Sequence, residues 1–128
     1  MAIEALPDDL RTFLHGATDA RNFRHADHVR MAFEILKRHP DFLEAATAYS
    51  RALKAIAARA GNPGAHHETI TLAFLSLIAE RSADFQDFEA FMASNSDLLD
   101  KNVLARWYAA ERLGSALARK TFVLPAPP

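Results

Sequence analysis

The chain has 128 residues, half of them hydrophobic and 24% charged, the balance of one globular domain with a single core. Fifteen Lys and Arg are scattered among sixteen Asp and Glu, so no basic stripe is left to track a phosphate backbone and a nucleic-acid partner is not expected. The absence of cysteine excludes disulfides, thiolate ligands and a cysteine nucleophile.

In chain order, Pro7 with Asp8 and Asp9 predicts a first helix over Asp8–His15, with Gly16 past its end. The spacing predicts a second helix from His25 to Arg38, stopped by Pro40, and a third from Asp41 to Ala60. The third should bury Phe42, Ala45, Ala46, Tyr49, Leu53, Ile56 and Ala57. After the break NPG, a fourth helix is expected over His66–Arg81 and a fifth over Asp84–Ala93, turning Phe85, Phe88, Phe91 and Met92 inward. Asp97 to Lys120 reads as short helices broken near Tyr108 and Gly114, and FVLPAPP as extended chain. The expectation is an all-α fold: a single helical domain over 1–128, a compact bundle of about five to six helices. Residues 1–6 and 124–128 should be extended or frayed ends.

The longest apolar run, LAFLSLIA (Leu72–Ala79), is too short to cross a bilayer, and the acidic start MAIEALPDDL lacks the basic region of a secretory signal. No membrane partner and a cytoplasmic location are therefore expected. Surplus apolar area in so small a chain makes a homodimer an open expectation.

Histidines open two apolar helices. At about 100° per residue, His25 falls at the centre of the apolar side of the second helix and His28 at its edge. On the fourth helix His67 lines up with Thr71, Phe74 and Ile78, while Glu68 lies on a flank and His66 on the opposite edge. A lone inward histidine is more often a core residue bonded to a carbonyl than a ligand. Three at two helix mouths must each satisfy a donor and an acceptor, which a metal relieves by taking one nitrogen from each ring. His25, His28 and His67 are thus candidate ligands of a divalent transition metal (Zn, Fe, Cu or Ni), with a fourth position open. Glu68 is a candidate extra ligand or general base, and Tyr108 a candidate hydrogen-bond donor to substrate. Lys101, Arg106 and Arg119 could bind a carboxylate or phosphate. His15 and His39, near helix C-termini, read as dipole-stabilised surface residues.

HHETIT is not the zinc-protease helix H-E-x-x-H, because Thr71 stands where the second histidine would be. The order His, His67–Glu68, then Asp97 or Asp100 echoes the helical HD-type phosphohydrolases and their iron oxygenase relatives, in a short chain with glutamate as the acid. The segments FRHADHVR (23–30), HHETIT (66–71), LLDK (98–101), WYAAERL (107–113) and ARKTFVLP (118–125) together resemble a family of small, all-helical bacterial proteins of uncharacterised activity. That resemblance implies a shared pocket, with His25, His28, His67, Glu68, Thr71, Lys101, Tyr108 and Arg119 as its residues. Arg24 and His66 depart from the family pattern, which has threonine and tyrosine there. The functional expectation is a small metal-dependent enzyme acting on a small molecule, hydrolytic or oxidative. The alternative is a non-catalytic helical module that binds a metal or metabolite.

Overall fold

The computed structural model describes residues 6–125, and every described element is helical: α1 (Asp8–Leu14), α2 (His25–Arg38), α3 (Phe42–Arg59), α4 (Glu68–Ser82), α5 (Phe88–Ser94), α6 (Ala110–Leu113) and α7 (Ala116–Lys120). Short single turns at Ala20–Asn22, Pro63–Ala65, Ser96–Leu99 and Val103–Arg106 join them. The chain is all-α, with seven helices among the described residues rather than five or six, because the tail folds into two separate short helices. The expected frayed ends lie outside the described residues at 1–5 and 126–128. No described helix is long and apolar enough to cross a membrane.

α2 is the central element: it packs on α1, α3, α4 and α5, and α4 carries α7 on its other side. Its start needs no threonine cap. The Arg24 N–H donates instead to the Asp27 carboxylate at 2.9 Å, satisfying one of the orphan groups at the helix end. Asp41, Asp87 and Ser115 cap α3, α5 and α7 with their side-chain oxygens. Val29, Met31, Ala32, Phe33 and Ile35 of α2 are buried against Leu10 and Phe13 of α1, Leu75 and Ile78 of α4, and Phe91 of α5. Each large side chain removed from water here contributes roughly 1.5–3 kcal/mol. α1 meets α3 so closely that a Cβ on Gly16 would come within 2.5 Å of the Ala55 Cβ, and Gly16 also holds φ at +69°. Glycine is required there on both counts.

Some residues sit differently from the sequence pattern. Phe42 is 38% exposed, because it occupies the first position of α3, off the end of the core. α5 begins at Phe88, not Asp84, since Asp87 caps it and leaves Phe85 in the preceding loop, packed edge-on against Phe91. His39 is not a surface residue: the turn into α3 brings its Nδ1 to 3.8 Å from Glu44 and buries its Nε2 without a partner.

Candidate functional site

Between α2, α3, α4 and the α7 end of the tail lies a cavity of about 640 Å³. Phe23, Val29, Tyr49, Leu53, Ile56 and Phe74 supply much of its apolar wall, and His25, His28, His66 and His67 all reach it. His67, Thr71, Phe74 and Ile78, aligned on one face of α4, line it together. The size is that of an ordinary small-molecule site.

The four imidazoles differ in what they already bind. His67 is the N-cap of α4: its Nδ1 accepts from the Ile70 N–H at 3.2 Å, which obliges Nε2 to carry the proton. Nε2 donates to the Leu113 carbonyl at 2.7 Å. Both nitrogens are thereby used. His25 Nε2 bonds the Leu98 carbonyl at 2.8 Å, so Nδ1 is the nitrogen left over. His66 Nε2 is 3.0 Å from the Glu68 carboxylate. Among the described residues the ring of His28 has no hydrogen-bond partner; it packs on Phe23 with ring centroids 4.3 Å apart and lies 6.5 Å from the His25 ring. Burial, with a smaller contribution from the neighbouring His25, lowers its pKa to about 4 and keeps it neutral, although Asp27 pulls the other way. Tyr49, whose hydroxyl donates to the His28 carbonyl at 3.3 Å, has its own pKa raised by the same burial.

A divalent metal on His25, His28 and His67 would require His67 to release one of its two backbone bonds. A ligand needs an unprotonated nitrogen free to point at the ion, and His67 has none unless it gives up the cap of α4. Among the described residues no group of three or more His, Asp or Glu is placed to hold a metal. Asp97, the acid of the HD-type echo, instead takes both oxygens to Arg81 at 2.8 and 2.9 Å, with Arg106 at 2.9 Å. The Arg81 bond, helped by both guanidinium charges, holds its carboxyl below the usual range despite some burial.

The remaining sequence candidates separate into two groups. Thr71, Lys101 and Arg119 line the cavity. Glu68, Tyr108 and Arg106 do not. Glu68 accepts from Ser50 at 3.2 Å and His66 at 3.0 Å and lies 3.6 Å from Lys54. Burial alone would raise its pKa, but these bonds and the lysine charge outweigh it, and the carboxyl stays ionised below its ordinary range. The Tyr108 hydroxyl donates to the Val123 carbonyl at 2.8 Å, fastening the tail. Its pKa is raised by burial, against the opposing charge of Arg112.

Sequence reasoning missed Thr69, the fully buried second residue of α4. Its hydroxyl donates to the Thr121 carbonyl at 2.7 Å and accepts from the Val123 N–H at 3.1 Å, so it holds the segment that follows α7. The only available hint was a threonine placed beside an apolar helix face. Arg119 adds a second fastening through Nη1 to the carbonyls of Gly64 at 2.7 Å and His66 at 3.4 Å. No protein-family model, no curated protein and no solved structure matches this chain.

Proposed function

We propose that the protein is a non-catalytic binding module, whose cavity takes a small, largely apolar molecule. The observation that carries this reading is the neutral His28 ring lining the cavity without a hydrogen-bond partner among the described residues. A half-buried imidazole loses water contacts it can recover only from a ligand group or trapped solvent. The surrounding wall, built from Phe23, Val29, Tyr49, Leu53, Ile56 and Phe74, is hydrophobic, as ligand sites are, with few polar groups to set orientation. The chemistry expected of an enzyme is missing its usual partners. His28 has no carboxylate orienting it, and Glu68, the candidate base, is turned to Ser50 and Lys54.

The test is a titration with 1-octanol as a neutral, mostly apolar probe, followed by NMR of the His28 ring protons. Saturable shifts at His28 and Phe74 are expected, together with their loss in Ala57→Phe, which fills the cavity wall. A probe that shifts exposed residues only, or binds Ala57→Phe equally well, would overturn the reading.

A further inference from the structure

The cavity changes character from floor to mouth. Its buried lining residues include Val29, Tyr49, Phe74 and Ile78, beside the half-buried His28, and its exposed lining residues include Asn62, Lys101, Asn102 and Arg119. No carboxylate among the described residues lines it. Among the described residues the Lys101 ammonium makes no hydrogen bond or ion pair. Arg119 meets only backbone carbonyls, through a single nitrogen, which leaves N–H groups of its guanidinium uncommitted. The charge complement of such a mouth is an anion. Glu68, the carboxylate bonded to the lining residue His66, is neutralised by Lys54 and fixed by Ser50, so it does not cancel the two cations.

We propose that the ligand is an amphipathic monoanion: a carboxylate on a medium-chain or aryl body. The carboxylate is received at the mouth by Lys101 and Arg119, while the body lies over the apolar floor. The two cations come from separate elements, the turn after Leu99 and helix α7. Charge-assisted bonds to carboxylate are the strong kind, and an arginine can meet it with two parallel N–H groups. A phosphate site would normally offer backbone N–H groups at a free helix start. At α4 the Ile70 N–H is already taken by His67. This inference rests on the reading of the cavity as a binding pocket.

The experiment compares octanoate, 1-octanol and octylammonium by calorimetric titration at pH 7 on the full chain, on Lys101→Gln and on Lys101→Gln/Arg119→Gln. Octanoate should bind about tenfold more tightly than octanol, and octylammonium most weakly. The octanoate–octanol gap should narrow in Lys101→Gln and fall below about threefold in the double variant. Lys101 is exposed and has no bonding partner among the described residues, so its substitution tests the idea even if loss of Arg119 loosens the fold. Equal affinity for octanoate and octanol, or a gap that survives Lys101→Gln undiminished, overturns the anion proposal and leaves the pocket reading intact. Failure of all three probes to bind removes the pocket reading and this inference with it.

Discussion

The starts of α2 and α4 look alike in sequence and do different work. At α4, His67 bonds through both ring nitrogens, one to its own helix and one to a carbonyl 46 residues away. At α2, His25 uses one nitrogen on Leu98 and His28 uses neither. Facing inward is therefore not what distinguishes a functional imidazole. The distinguishing fact is whether the backbone has already claimed its nitrogens, because an imidazole that caps a helix and ties a loop has no lone pair left for a ligand.

Acid should expose the difference most strongly. The unfolded His28 ring titrates near 6.5 and the folded ring near 4, so between these values the unfolded chain holds the extra proton and is favoured as pH falls. Stability should be complete above pH 6.5 and should drop by about 3 kcal/mol on the way to pH 4. Urea unfolding of His28→Gln over the same range should lack that drop, and a parallel profile would refute the assignment. At neutral pH the order reverses. His67→Ala removes the cap and leaves the Leu113 carbonyl without its donor, costing about 2–3 kcal/mol. His28→Ala, beside existing void, should cost about 1 kcal/mol while losing octanol binding. An equal stability loss at the two positions would erase the contrast. Thr69→Val breaks both bonds from α4 to the tail for about 1–2 kcal/mol, read as faster proteolysis after Lys120. The smallest effect is expected of Glu68→Gln: within about 0.5 kcal/mol of stability and no change in probe affinity, since Glu68 itself does not line the cavity and an amide oxygen can still accept from Ser50 and His66.

The second helix was legible to its ends because its signals are local. The apolar face repeats at helical spacing, Asp27 lies one turn in, and Pro40 follows the last residue. The fourth helix starts two residues later than its periodicity suggests, because a histidine side chain took the role usually given to serine or aspartate. His25, His28, His67 and Thr71, placed by helical spacing on two inward faces, line one cavity, and Lys101 and Arg119, whose orientation no periodicity indicated, line it as well. Their hydrogen-bond states were hidden, since the partners of His25 and His67 are carbonyls 73 and 46 residues distant, and carbonyls have no residue type to betray them. Tyr108 and Glu68 show the same limit: a polar group beside an apolar helix does not declare from sequence which partner it bonds.

Thr69 gives a hydrogen to one extended stretch of backbone and receives one from it two residues on, a clasp that uses both the donor and the acceptor of one hydroxyl. Arg119 rides on the helix just ahead of that clasp. During translation, then, a nascent chain that has emerged only as far as Gly114 already contains α1 through α6 but not the last side of the cavity. Assembly of that side must wait for Thr121 and Val123, which makes the arrival of the tail the event that finishes the vessel.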